Sequence, residues 1–159
     1  MKTLGIDPGY DRIGIAVLEK KQNGKEVRLF SECFMTDRVK NIHERIFSIA
    51  ERLDTIIEKY KPNRFAIETI FHTKNTKTVI GVSEARGVII YIASKHKLSI
   101  QEYTPNQIKN ATTGYGKATK EQVYSMVTRL VTLPKNLKQD DEIDAIAIAI
   151  TDLAHVKNL

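Results

Sequence analysis

Four acidic residues, Asp7, Glu68, Asp141 and Asp144, stand where short apolar runs end or begin. Carboxylates placed in this way suit metal-assisted hydrolysis. Thr3-Leu4-Gly5-Ile6 leads into Asp7, and Pro8-Gly9 then breaks the run, since proline has no N–H for a sheet ladder and glycine tolerates the bend. Arg64-Phe65-Ala66-Ile67 leads in the same way into Glu68. Asp141 and Asp144 are three apart, so on a helix they share one face. Blander readings stand beside these: an acid before Pro-Gly is common turn chemistry, Glu68 is also an exposed strand end, and acids in a first helical turn complement the dipole. Asp144, however, is followed at once by the apolar run Ala145 to Ile150, where an unpaired carboxylate is costly. An all-oxygen cluster favours Mg²⁺ or Mn²⁺ over zinc, and neither Cys33 nor His43, His72, His96 and His155 has a zinc-ligand spacing. The chemistry expected is phosphodiester hydrolysis with two divalent ions about 4 Å apart.

The elements that must position these acids follow from periodicity. Residues 3–7, 12–18 and 27–35 read as three strands, the last two joined by an Asn23-Gly24 turn, and short connections imply antiparallel pairing. Ile42, Ile46, Ile49, Leu53, Ile56 and Tyr60 recur at helical spacing until Pro62. A strand over 64–68 reached through that helix is expected to lie parallel to an earlier one, so Asp7 and Glu68 emerge at the same sheet edge. A second helix is expected over 78–95, with Gly81, Ala85 and Gly87 leaving a small-residue surface for the sheet or a second subunit. A fifth strand over 98–103, a short helix over 105–111 and a helix opened by the capping box Thr119–Gln122 come next. Asp140 to His155 forms a last, buried helix. The fold class is α/β, a five-stranded mixed sheet flanked by helices, in a single domain over 1–159.

Charge points to the partner. Net charge is +6, yet the stretch from His72 to Lys138 holds eleven Lys or Arg against three acids, which leaves the rest of the chain acidic. A basic middle suits a polyanion, although a solvated lysine-rich face gives the same count. One cysteine excludes an intramolecular disulfide and fits a reducing cytoplasm, and no apolar run of membrane-spanning length occurs.

Gly5-Ile6-Asp7-Pro8-Gly9, Phe65-Ala66-Ile67-Glu68, Ala85-Arg86-Gly87-Val88 and Asp141-Glu142-Ile143-Asp144-Ala145-Ile146-Ala147-Ile148-Ala149 together resemble the motifs of the RuvC family of Holliday junction resolvases, in the same order over essentially the whole chain. The resemblance implies a ribonuclease-H-like fold and a homodimer that nicks two opposed strands of a four-way DNA junction symmetrically, leaving 5′-phosphate and 3′-hydroxyl ends. It also implies cooperation with the RuvA–RuvB branch-migration machinery. By motif, Asp7, Glu68, Asp141 and Asp144 become the acids that bind Mg²⁺, two per site, with Mn²⁺ as a substitute; Asp140 is the alternative to Asp141 at the fourth position. Phe71 matches an aromatic that stacks on bases, and Lys109 and Lys120 match basic DNA contacts. Lys74 and Lys117 are further basic candidates. The helix carrying Gly81 and Ala85 is implied to join the dimer interface. Three other readings compete: an RNA-processing nuclease of the RuvX/YqgF type, an actin-like nucleotide-binding fold, and a junction-binding protein without catalysis. The second needs two lobes where this chain has one. The third would surround DNA with acids that nothing neutralises.

Overall fold

Alternation along the strands sorts their side chains into two unlike faces. Leu4, Ile6, Ile13, Ile15, Val17, Phe65 and Ile67 form one buried cluster, whereas Ala16, Leu18 and Ala66 belong to another. The first face is built of large branched residues and the second mostly of small ones, so helices can approach the second more closely.

The computed structural model describes residues 1–69, 76–133 and 140–156. Its elements, in chain order, are β1 (Lys2–Asp7), β2 (Arg12–Lys20), β3 (Glu26–Met35), α1 (Ile42–Tyr60), β4 (Arg64–Glu68), α2 (Thr76–Lys95), β5 (Ser99–Tyr103), α3 (Pro105–Thr113), α4 (Lys120–Leu130) and α5 (Asp140–His155). The sheet runs β3-β2-β1-β4-β5. β1 pairs antiparallel with β2 and β2 with β3, while β4 is parallel to β1 and β5 to β4, the expected order. The β2–β3 turn closes with Gly24 at φ +79°, a left-handed conformation that glycine adopts without strain.

Helix ends are set by local chemistry. Asn41, Thr104 and Thr119 each accept a hydrogen bond from the backbone N–H three residues on, and the side chains of Glu44, Gln107 and Gln122 accept in turn from the cap residue's backbone N–H. Three reciprocal capping boxes thus fix where α1, α3 and α4 start. The Ile, Leu and Phe face of the sheet is covered by α1 and α2, through Ile49, Leu53, Ile56, Ala85, Ile89 and Ala93. Each buried Ile or Leu among them is worth about 1.5–3 kcal/mol relative to exposure.

The small-residue face carries α5. A Cβ added at Gly5 would lie 2.4 Å from the carbonyl oxygen of Ala145, and one at Gly14 would lie 1.9 Å from that of Asp141. Backbone therefore rests directly on backbone at both points. The alternating Ala and Ile of α5 suit this position, because the helix is apolar all round: ten residues from Ile143 to Leu153 are buried, with α3 and α4 against its outer side.

Candidate active site

β1 and β4 both end in an acid, and parallel pairing with Ile6 opposite Ile67 brings Asp7 and Glu68 out side by side at one edge of the sheet. Gly14 is the antiparallel partner of Asp7, and the first turn of α5 lies on Gly14, so Asp141 and Asp144 reach the same edge. All four carboxylates line one cavity of about 390 Å³. Lys109 from α3 and Lys120 from the first turn of α4 line it too, over an apolar floor that includes Ile108, Val123 and Ile148.

The electrostatics record crowding of like charge. Burial, followed by repulsion from Asp144, Glu68 and Asp141, pushes Asp7 up to about 8, and Lys120 eases it only in part. Burial and Asp144 push Glu68 to about 7, against Lys120 and Lys109. Burial also raises Asp144, which Lys120 counters at an Nζ–Oδ2 distance of 3.7 Å. Asp141 has partners on the sheet side: Arg12 Nη1 lies 3.4 Å from Oδ2, and the Cys33 thiol donates to the same oxygen at 3.6 Å. Burial and Asp141 push that thiol up to about 11, which keeps it a donor.

The donor set tests whether a divalent cation fits. Four carboxylates with no thiolate or imidazole among them offer hard oxygen ligands, the chemistry of Mg²⁺ and Mn²⁺. As they stand, no three His, Cys, Asp or Glu side chains among the described residues form a ready cage for an ion. Like charge crowds this edge of the sheet, and a divalent cation would draw the acids together. The residues fit such an ion in type and in place.

Other expected site residues fall differently. Asp140 is exposed, does not line the cavity and stands at the first residue of α5. Lys117 is exposed in the loop before α4 and is not among the lining residues. Phe71 and Lys74 lie outside the described residues. Gly81 and Ala85, whose helix is expected to join a dimer interface, pack within the chain itself. Ala85 is fully buried in the chain's own core, and a Cβ on Gly81 would lie 3.0 Å from the Tyr10 ring. Their small size serves packing within one chain; the exposed apolar residues of α2 are Ile80 and Tyr91. Two residues the sequence reading passed over belong to the site, Arg12 and Cys33. The signal for Arg12 was slight, a cation opening the strand that follows the Asp7 turn.

A family model described as crossover junction endodeoxyribonuclease RuvC matches residues 3–152. A crossover junction endodeoxyribonuclease RuvC of Petrotoga mobilis is 44% identical over 149 residues, covering 94% of this chain and 91% of the relative. One of Fusobacterium nucleatum is 38% identical over 159 residues, covering 100% and 82%. Among solved structures, T. thermophilus RuvC in complex with Holliday junction substrate superposes with a TM-score of 0.88 at 30% identity, covering 95% of this chain and 92% of that one.

Proposed function

We infer the function from one premise: this chain belongs to the RuvC family of crossover junction endodeoxyribonucleases. It is a Holliday junction resolving endonuclease with a ribonuclease-H-like fold, and its relatives do not favour the RNA-processing alternative. The observation that carries the reading in this chain is the convergence of Asp7, Glu68, Asp141 and Asp144 on one cavity that Lys109 and Lys120 also line.

The roles follow from position. Asp7, Glu68, Asp141 and Asp144 hold the divalent cations on which enzymes of this family depend, Mg²⁺ by our proposal, two per site, with Mn²⁺ able to substitute. Such cations supply charge neutralisation and Lewis acidity at the scissile phosphate. Lys109 and Lys120 receive the phosphate backbone, and Lys120 gains most from it, because a cation in a first helical turn is otherwise disfavoured by the dipole. Water adds to phosphorus, the bond to the 3′ oxygen breaks, and the products carry a 5′-phosphate and a 3′-hydroxyl. Lys74, Lys117 and Phe71 remain proposed DNA contacts.

Resolution needs two such cuts. A homodimer places two clefts in two-fold symmetry, matching the symmetry of an open four-way junction. The face that supports it is the shallow apolar groove between α1 and α2, lined by Phe47, Gly87 and Val88, with Phe47, Ile80 and Tyr91 more than half exposed nearby. We place the RuvA–RuvB machinery as its partner and the cytoplasm as its compartment; no described helix is long and apolar enough to cross a membrane.

The test is cleavage of a mobile four-way DNA junction with Mg²⁺, beside linear duplex and structured RNA. Paired nicks confined to the junction are expected. Asp7→Asn is expected to lose at least about 100-fold in rate, since even residues that only support a metal ligand cost 10–100-fold. A folded Asp7→Asn protein that still cuts junctions with metal would overturn the reading.

A further inference from the structure

Asp141 does not face the cleft alone. Arg12, the first residue of β2, puts Nη1 3.4 Å from Asp141 Oδ2, with half of its own side chain open to solvent and four fifths of Asp141 covered. Lys120 meets Asp144, one helical turn on, at 3.7 Å. Asp141 and Asp144 are thus each engaged by one cation, and the two cations line different cavities. Lys109 and Lys120 line the 390 Å³ cleft. Arg12 and Arg38 line a second cavity of about 950 Å³, which shares Asp7 and Asp141 with the first and is walled by Pro8, Gly9, Tyr10 and Thr36. Of the acids there, Asp11 is met by Arg45 and Arg38.

A divalent cation on Asp141 draws on the same carboxylate charge that holds Arg12. The divalent ion carries twice the charge and repels the guanidinium at that distance. An arginine displaced from Asp141 stays at the mouth of the larger cavity, where a planar fork matches a phosphodiester oxygen pair. We propose that Arg12 exchanges partners: it holds Asp141 while that carboxylate is free of a cation, and binds a backbone phosphate of the nucleic acid in the larger cavity once Asp141 is taken. This rests on the junction-nuclease reading above and adds to it a residue and a second stretch of phosphate contact beside Asp7. The order of binding follows, because the phosphate site opens only as the acids fill.

The two halves of the exchange have opposite signs under one substitution. In Arg12→Gln, Mn²⁺ binding measured by calorimetry without DNA should tighten by about 2- to 5-fold, the worth of a half-exposed ion pair that no longer competes. Binding to a four-way junction with non-hydrolysable central linkages should change little without metal. With Mn²⁺ it should weaken, and the slope of log K against log salt should fall by about 1. Arg12→Lys keeps the charge and loses the fork, so it should restore the Mn²⁺ affinity of the parent and only part of the junction affinity. Looser or unchanged Mn²⁺ binding in Arg12→Gln would overturn the exchange, as would an equal loss of junction affinity with and without metal. A parent protein that binds the junction yet takes up no Mn²⁺ would overturn the metal reading and the exchange with it. A parent that binds no junction would overturn the functional reading itself, whatever its Mn²⁺ affinity.

Discussion

Two buried acids mark the two regions that α5 joins. Asp152, near its end, has no solvent exposure and accepts hydrogen bonds from Thr3 Oγ1 at 2.8 Å, Tyr103 OH at 3.0 Å and both arms of Arg64 at 2.8 Å. Asp7, at the edge where α5 begins, has other carboxylates as neighbours, and among the described residues no side-chain hydrogen bond offsets its burial. The first acid is fully partnered and clamps β1, β4, β5 and α5 together. Burial and like charge hold the second in its protonated form up to about pH 8, and an outside cation would favour its charged form. Satisfaction, more than burial, separates an acid that builds the fold from one that the fold holds ready.

That contrast can be broken from the structural side first. Asp152→Ala leaves Arg64 unpaired and Thr3 and Tyr103 without their acceptor, and is expected to cost about 3–5 kcal/mol by chemical denaturation. A loss below 1 kcal/mol would remove the distinction. Gly14→Ala comes next. Its Cβ would meet the Asp141 carbonyl, so α5 must lift at its start while Asp152 still holds its far end. About 1–3 kcal/mol should be lost in denaturant melts, with a larger fractional loss of junction cleavage than any residual unfolding accounts for.

Asp7→Asn should act the other way on stability. Because the folded protein holds Asp7 near 8 and Glu68 near 7, it binds protons that the unfolded chain has already released. Their contribution is complete below the ordinary carboxylate range and is lost as pH rises through about 7 to 8. Without metal, Tm should fall from pH 5 to pH 8, and Asp7→Asn should flatten the fall. At pH 8 the variant should gain on the order of 1 kcal/mol, roughly 2–4 °C. Added Mg²⁺ should raise the parent's Tm at pH 8 and do much less for the variant. The smallest effect belongs to Lys120→Gln. Its side chain is 73% exposed, so stability should stay within about 0.5 kcal/mol while junction binding weakens and its salt slope drops by about 1.

How far the sequence told this in advance depended on whether a signal was local. Strand directions, the capping box at Thr119 and the buried character of α5 were legible from short connections and local pattern, whereas the capping boxes at Asn41 and Thr104 came only with the structure. Asp7 and Glu68 were legible because each ends an apolar run, and a helical crossover fixes their direction. Gly81 and Ala85 announced a close approach without saying by what, and the answer, the Tyr10 ring for Gly81 and the chain's own core for Ala85, depends on tertiary packing. The same limit hid Arg12, whose partner Asp141 lies far along the chain, and Asp152, whose three partners come from three different strands.

The place of α5 in the chain has a consequence for how the protein is made. Two of the four acids sit on the last helix, and the glycine floor that receives them is laid down in β1 and β2, among the first residues synthesised. A growing chain that has finished its sheet still lacks Asp141 and Asp144, and the edge where Asp7 and Glu68 emerge is only half of a cutting site. On the proposed assignment of the four acids, a polypeptide truncated before residue 140 lacks half of its metal-binding carboxylates and is expected to cut no junction.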